Sequence, residues 1–223
     1  MKIDRQKFFD RYRAAFGSLV QPQVDGLEFL LVSIEADAPF WTGVQTLSIS
    51  TDQVAYMLAT VKHETENRFE PADELGAVQY FENRYGPQTS VGRALGNTDR
   101  GDGAKYHGRG YVQLTGKNNY VRAMRDLASN YPETVRAFEG DTAQGFNLVA
   151  RPEQAKDPAI AYAIMSYGMR MGRFTGARLS TFFNSQRQDP LNARRIINGL
   201  DRAQLIAGYW SGIVTALRAG VSL

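Results

Sequence analysis

Cysteine is absent from this chain of 223 residues, and histidine occurs only twice, at His63 and His107. Disulfides, thiolate metal ligands and thiol nucleophiles are therefore excluded. A structural zinc site needs about four Cys or His ligands, which two histidines cannot supply. His63 and Glu64 begin the zinc-protease pattern HExxH, but Asn67 stands where its second histidine belongs. We expect no metal site and no cofactor.

Long apolar runs are missing as well. No run of 18 apolar residues occurs, so we expect no transmembrane helix and no stable membrane insertion. The first 17 residues are charged throughout and lack the apolar core of a secretory signal. The serine-hydrolase pattern GxSxG is absent, and Gly108 and Gly110 lack the third glycine of a dinucleotide fingerprint. Length and composition suit a single domain that covers residues 1–223.

Positive charge is concentrated in one part of the chain. The net charge is +3, but the segment 84–125 holds eight basic residues against two acidic ones, a balance of +6. Such a segment attracts nucleic acid, anionic lipid or an anionic cell-wall polymer. A solvated face with a few salt bridges explains it equally well. The basic residues are Arg84, Arg93, Arg100, Lys105, Arg109, Lys117, Arg122 and Arg125, and the acidic ones are Asp99 and Asp102.

The hydrophobic periodicity is mostly helical. It predicts helices over 4–16, 22–36, 51–66, 117–128, 158–171, 189–197 and 201–219, with Thr51 as the N-cap of the third. Short strands are predicted at 77–82 and 111–114, which would form a small hairpin or sheet. The sequence therefore predicts a mainly α fold with one long polar segment, which contains little helix, in the middle of the chain.

Glu64 is the first candidate catalytic residue. It follows Met57 and Val61 at helical spacing, so it continues the apolar face of its helix. Partial burial favours the protonated carboxyl, and a general acid working near neutral pH needs that form. The alternative is a Glu at the end of a helix in a salt bridge with Lys62 or Arg68.

Glycoside hydrolysis requires a second carboxylate. The candidates are Glu66, Asp73, Glu74 and Glu82, and spacing alone does not choose among them. Aromatic residues beside Glu82 suit a sugar site, and they suit the core of a hairpin equally well.

The segment 106–120 offers neutral hydrogen-bonding groups. Gly108 and Gly110 permit close backbone approach. They precede uncharged donors and acceptors that could bind sugar hydroxyls and amides or hold a water molecule: Gln113, Thr115, Asn118 and Asn119. The alternative is a turn in which Thr115 or Gly116 simply starts the next helix.

Three motifs, in order along the chain, resemble glycoside hydrolase family 19, the chitinases and phage-type endolysins. ATVKHETENRF resembles the segment that carries the general acid, GDGAKYHGRGYVQLTGKNNY the GRG-x-x-QLTG-x-x-NY signature, and ARRIINGLD a later RRIING segment. The opening segment from FFDRYRAAFG to about residue 37 also resembles bacterial and phage members. The resemblance covers nearly the whole chain.

The resemblance implies a lysozyme-like, two-lobed fold with a cleft and an inverting hydrolase for β-1,4 links between N-acetylated sugars. It makes Glu64 the general acid and Thr115 the residue that holds the attacking water. The phage-type members point to Asp73 as the second carboxylate, with Glu82 as the second choice. The implied sugar-binding positions are Gln113, Asn119 and Asn198, with Tyr111 and His63 added as neighbours of the motifs. The match of Asp201 is left open, because NGLD has one glycine fewer than the plant pattern.

Peptidoglycan is the expected substrate. A basic chain without cysteine or export signal suits an endolysin that accumulates in the cytoplasm of a bacterial host and is released to the cell wall through a holin-type pore. Its expected partners are glycan strands of peptidoglycan, with no nucleic acid, and the protein is expected to be a monomer. Chitin is the alternative substrate, and a non-catalytic sugar-binding protein on the same fold is the third interpretation.

Overall fold

A computed structural model describes residues 2–37, 46–142 and 145–222. The chain divides into two compact units, which are described separately below: unit 1 comprises Met1–Phe69 and Met165–Leu223, and unit 2 comprises Glu70–Ile164. The mainly α class predicted from the sequence is confirmed. The single catalytic domain over 1–223 stays a prediction.

The helices are α1 (Arg5–Phe16), α2 (Gln21–Ala36), α3 (Leu47–Glu64), α4 (Val78–Tyr85), α5 (Ser90–Ala94), α6 (Asp102–Lys105), α7 (Lys117–Asn130), α8 (Pro132–Thr142), α9 (Pro158–Met171), α10 (Leu179–Phe182) and α11 (Ala203–Gly220). Two 3₁₀ helices cover Pro152–Lys156 and Asn192–Ile196. The strands are β1 (Lys2–Ile3), β2 (Ala72–Asp73), β3 (Arg109–Gly110), β4 (Phe183–Asn184), β5 (Arg187–Gln188) and β6 (Val221–Ser222). They form three antiparallel pairs, β1–β6, β2–β3 and β4–β5.

Helix α3 is the centre of unit 1. It is buried on all sides from Ser50 to Lys62 and packs against α11, which packs in turn against α1. The Thr51 N-cap prediction is wrong, because the helix starts one turn earlier. Thr46 caps it by accepting a hydrogen bond from the amide of Ile49, and the Thr51 hydroxyl donates to the carbonyl of Leu47 inside the helix.

The turn after α3 has an unusual backbone. The helix ends at Glu64, two residues before the predicted end. Glu66, Asn67 and Phe69 have positive φ angles of 51°, 65° and 59°. Such angles are uncommon for residues other than glycine and cost energy that surrounding contacts must offset. The chain therefore leaves α3 through a turn that its neighbours hold in place.

Unit 2 contains the small β pair, but not where the sequence predicted it. Ala72 pairs with Gly110 and Asp73 with Arg109. The strand predicted at 77–82 is wrong, because these residues lie in α4 and its approach, with Phe81 and Tyr85 buried one turn apart. The strand predicted at 111–114 is also wrong, because the chain turns there and Gln113 adopts a φ of 54°.

Candidate active site

Glu64 forms an ion pair with Arg194 in unit 1. The Nη1 atom of Arg194 donates to Oε1 of Glu64 at 2.6 Å. The Arg194 side chain is 4% exposed and that of Glu64 is 17% exposed. The Nε atom of Arg194 donates to the carbonyl of Asp201 at 3.0 Å, so both ends of the guanidinium are held. The partner of Glu64 is thus Arg194, and not Lys62 or Arg68 as the alternative interpretation required.

His63 and Tyr56 lie in the electrostatic surroundings of this ion pair. Burial lowers the pKa of His63, and the neighbouring charges of Glu64 and Arg194 act on it in opposite directions. Tyr56 is fully buried, and burial raises the pKa of its phenol, with smaller opposing effects from Arg194 and Glu64. Near neutral pH, both side chains are therefore neutral neighbours of the Glu64–Arg194 pair.

Asn198 lies at the exposed end of the segment that carries Arg194. Its backbone N–H donates to the carbonyl of Arg194 at 3.0 Å. Its Oδ1 atom accepts a hydrogen bond from the amide of Gly199 at 2.8 Å. The Asn198 side chain is exposed. Its predicted role remains a prediction.

In unit 2, three side-chain oxygens surround Gly108. A methyl group on this glycine would lie 2.8 Å from Oε1 of Gln113, 3.1 Å from Oε2 of Glu74 and 3.2 Å from Oγ1 of Thr115. A Cβ atom here would displace these side-chain ends, so glycine leaves them room to converge. The amide of Gly108 donates to Oε2 of Glu74 at 3.1 Å, and the phenol of Tyr85 donates to Oε1 at 2.9 Å. A carboxylate, an amide and a hydroxyl thus converge on one backbone position.

Thr115 is not the cap of the helix that follows it. Its hydroxyl donates to the carbonyl of Gln113 at 2.8 Å, which leaves the oxygen lone pairs free to accept. The side chain that caps α7 is that of Asn97, whose Oδ1 accepts from the amide of Lys117 at 2.9 Å. Asn119 donates from its side chain to the carbonyl of Thr115 at 2.7 Å. Gly116 is the N-cap position of α7, as the alternative interpretation allowed, and the side chain that satisfies the first helical amide lies 18 positions before Thr115.

Gln113 holds the β pair of unit 2 together. Its Nε2 group donates to the carbonyls of Ala72 and Gly110, each at 3.2 Å. Its Oε1 atom is directed toward Gly108. The left-handed backbone at Gln113 is what turns this side chain back over β2 and β3.

Asp73 is surrounded by basic groups. Its Oδ1 atom lies 3.2 Å from Nε2 of His107 and 3.0 Å from Nε of Arg109, the latter an ion-pair contact outside hydrogen-bond geometry. Its Oδ2 atom accepts a hydrogen bond from Lys156. Burial alone would raise the pKa of Asp73, but the hydrogen bonds from Lys156 and His107 and the nearby positive charges hold it below its usual value. Asp73 therefore connects β2, β3 and the 3₁₀ helix Pro152–Lys156.

Glu82 and Tyr111 have structural surroundings. Both carboxylate oxygens of Glu82 accept backbone N–H groups, from Gly101 at 3.2 Å and from Ala104 at 2.8 Å. These bonds tie α4 to the start of α6. Tyr111 is 1% exposed and lies in the core of unit 2. The predicted sugar contact of Tyr111 would need a side chain that reaches solvent, which this one does not.

The basic segment 84–125 is partly neutralised. Arg109 is buried beside Asp73, and Lys117 pairs with Asp99 and Asp102. The other six basic residues are exposed: Arg84, Arg93, Arg100, Lys105, Arg122 and Arg125. This arrangement agrees with a solvated face that carries a few salt bridges, whereas attraction of an anionic polymer stays a prediction.

Within residues 2–37, 46–142 and 145–222, no group of three or more His, Asp or Glu side chains is placed to hold a metal ion. No helix in those ranges is both long and apolar enough to cross a membrane.

Comparison with known proteins gives matches only at the level of structure. No protein-family model matches the sequence, and no curated protein matches it. Chitinase C from Streptomyces griseus HUT6037 is similar, with a TM-score of 0.56 and 19% identity, over 99% of this chain and 95% of that one. A point mutant of chitinase C gives 0.54 at 19% identity, with the same coverage of the two chains. A bacterial family 19 chitinase gives 0.55 at 17% identity, over 99% and 98% of the two chains. The resemblance inferred from the sequence is confirmed for the fold: this chain has the mainly α fold of the family 19 chitinases.

Proposed function

We propose that this protein is a glycoside hydrolase that cleaves β-1,4 links between N-acetylated sugars by an inverting mechanism, with Glu64 as the general acid. The observation that carries the proposal is the Glu64–Arg194 pair at the end of a buried helix, on a fold shared with family 19 chitinases. Glu64 binds a proton from solvent before each turnover and gives it to the glycosidic oxygen, which returns the carboxylate to the ionised form of the ion pair. The guanidinium of Arg194, 2.6 Å away, stabilises that charge.

The second carboxylate is the open choice in this mechanism. An inverting enzyme uses it as a general base on a water molecule, roughly 6.5–9.5 Å from the acid. A base needs appreciable proton affinity, and the basic neighbours of Asp73 lower its pKa. Glu82 accepts hydrogen bonds from two backbone amides around α6, those of Gly101 and Ala104.

Glu74 fits the role of the base better than Asp73 or Glu82. Its hydrogen-bond donors, Tyr85 and the amide of Gly108, are neutral. Its Oε2 atom shares the surroundings of Gly108 with Thr115 and Gln113. We therefore propose that Glu74 takes one proton of a water molecule whose other hydrogen is donated to Oγ1 of Thr115.

Peptidoglycan is the proposed polymer. Six exposed basic residues of the segment 84–125 would attract a wall polymer whose peptides carry carboxylates, whereas chitin is uncharged. Chitin is the second candidate, because the similar solved structures are chitinases. A sugar-binding protein without activity is the third. Release from a bacterial host cytoplasm through a holin-type pore and a monomeric state remain part of the proposal.

Purified sacculi and chitin oligomers, digested in parallel, test this choice. Mass spectrometry identifies the products, and Glu64→Gln is the control in both digestions. We expect soluble fragments with new reducing ends from sacculi and slow cleavage of chitin oligomers. Faster cleavage of chitin would make the protein a chitinase, and sugar binding without cleavage of either would make it a binding protein.

A further inference from the structure

Lys62 is a buried lysine whose two hydrogen-bond acceptors are both neutral. The residue is 7% exposed. Its ammonium donates to the phenol oxygen of Tyr12 at 3.0 Å and to Oδ1 of Asn67. It lies between 4.6 and 5.8 Å from the centres of four aromatic rings, those of Tyr12, Phe16, Phe69 and Tyr209. Cation–π attraction and charge-assisted hydrogen bonds therefore replace the water that burial removes.

Asn67 is the residue that Lys62 holds in the turn after α3. Its φ of 65° is left-handed, which Asn tolerates better than most residues. Its backbone N–H donates to the carbonyl of Lys62 at 2.8 Å, and its backbone carbonyl accepts a hydrogen bond from the side chain of Gln23 at 2.9 Å. The Lys62 ammonium adds the contact to the side chain. Asn67 is thus fixed on three sides.

The same turn begins directly after Glu64. Thr65 also stabilises this turn. Its hydroxyl donates to the carbonyl of Val61 at 2.8 Å and accepts from the backbone N–H of Phe69 at 3.0 Å. If the turn loosened, the last residues of α3 would be the first to move. A displacement of about 1 Å at a catalytic group can cost roughly 100-fold in rate.

We propose that Lys62 is a positioning residue for Glu64: its ammonium holds Asn67, and through Asn67 it holds the left-handed turn that fixes the end of α3. This inference rests on the proposed function, because it assumes that Glu64 acts on substrate. Lys62 itself does not touch substrate, and its aromatic surroundings are part of unit 1.

The arrangement predicts a dependence on the charge of Lys62. Burial lowers the pKa of Lys62 to about 8. The titratable groups that face it are Tyr12 from α1 and Tyr209 from α11, and burial raises the pKa of Tyr12 so that this phenol stays neutral. Gln23 from α2 and Asn67 in the turn carry no charge. Loss of the Lys62 proton removes the cation–π attraction and the charge-assisted bond, so turnover falls as the pH rises past about 8.

Two variants test the inference on the intact chain. Lys62→Met keeps the length of the side chain and removes its charge, and we expect a roughly 10- to 100-fold lower kcat at pH 7 with KM within about twofold. Asn67→Asp gives Lys62 an anionic partner, and we expect the alkaline fall in kcat to move to higher pH. Arg68→Gln is the charge-matched control: it changes the charge of the same turn by the same amount at an exposed side chain, although it also removes a hydrogen bond from Nε to the carbonyl of Thr65 and leaves Lys62 and its two acceptors in place.

The following results would overturn the positioning role of Lys62 or separate it from the proposed function. Wild-type kcat for Lys62→Met, or equal shifts of the alkaline fall in Asn67→Asp and Arg68→Gln, would overturn the inference. If Lys62→Met does not fold, the comparison of Asn67→Asp with Arg68→Gln still decides. Full activity of Glu64→Gln would overturn the proposed function instead. In that case amide exchange at Phe69, faster in Lys62→Met than in the wild type, still reports whether Lys62 holds the turn.

Discussion

Arg194 donates from Nη1 to Oε1 of Glu64 at 2.6 Å and thereby joins the end of α3 to a 3₁₀ helix 130 residues later in the chain. The guanidinium is almost completely buried. Removal of one partner from a buried ion pair leaves an uncompensated charge, which lowers the free energy of unfolding by more than the pair itself contributes. Loss of either residue should therefore destabilise the protein.

Replacing Arg194 should therefore affect stability and turnover together. We expect Arg194→Met to lower the free energy of unfolding by about 3 kcal/mol and to reduce kcat, because it removes the cation that stabilises the ionised Glu64. The double variant with Glu64→Gln should regain part of the stability. Denaturant unfolding of the three variants checks this, and an Arg194→Met protein as stable as the wild type would contradict it.

Asp73 and Glu74 should separate stability from catalysis. We expect Glu74→Gln to reduce kcat by at least roughly 100-fold with a small change in melting temperature. Asp73→Asn should reduce stability, because three basic groups lose their shared partner.

The pH dependence gives a second test of Asp73. Its pKa is lowered in the folded state, so its stabilising contribution is present above the usual value of 3.8 and is lost as the pH falls through the lower folded value. In Asp73→Asn this part of the acid unfolding should vanish. Normal stability of Asp73→Asn combined with a large loss of kcat would return the role of general base to Asp73.

Thr115 and Asn97 form a matched pair of variants. Thr115→Val keeps the volume and removes the hydroxyl, and we expect a large fall in kcat with a small change in KM. Asn97→Ala removes the side-chain cap of α7 and a buried hydrogen bond to the carbonyl of Tyr85, and we expect a loss of about 2 kcal/mol of stability with a smaller fall in kcat than in Thr115→Val. Melting temperature and kcat, measured on both variants, distinguish the two roles. A fully active Thr115→Val would exclude Thr115 from catalysis.

His63 should contribute to stability in mildly acidic solution. Burial lowers its pKa below 6.5, so the unfolded chain binds a proton more readily than the folded one. Its contribution is complete above pH 6.5 and is lost as the pH falls through the folded pKa. We expect His63→Gln to show a weaker fall in stability between pH 6.5 and 5 than the wild type. An unchanged pH profile of unfolding would show that the folded protein does not disfavour the protonated imidazole.

The sequence predicted the helices better than the small sheet. Residues 158–171 form the predicted helix, because their apolar residues recur at a clear helical period. The segment 77–82 resembled a strand because Tyr80 and Phe81 favour strands in isolation, whereas burial of Phe81 and Tyr85 on one face decides for a helix.

The sequence identified the candidate site residues through their motifs, but it did not predict which side chains contact one another. Glu64, Gln113 and Thr115 stand in motifs that the sequence displays. The ion pair with Arg194 and the cap of α7 by Asn97 depend on tertiary contacts for which local spacing carries no signal. The tie between Asp73 and Lys156 also spans 83 residues, so the crowding of Asp73 by positive charge could not be foreseen.

Release of reducing ends from purified sacculi by wild type and Glu64→Gln is the most direct measurement of the central claim. The Gln variant keeps an oxygen acceptor for Arg194, but it loses the proton that Glu64 would donate and the negative charge of the ion pair. We predict soluble glycan fragments from the wild type and at least a roughly 100-fold slower release by the folded variant, which should melt at a lower temperature because the buried Arg194 loses its anionic partner. Equal rates of release by the two proteins would contradict the assignment of Glu64 as the general acid.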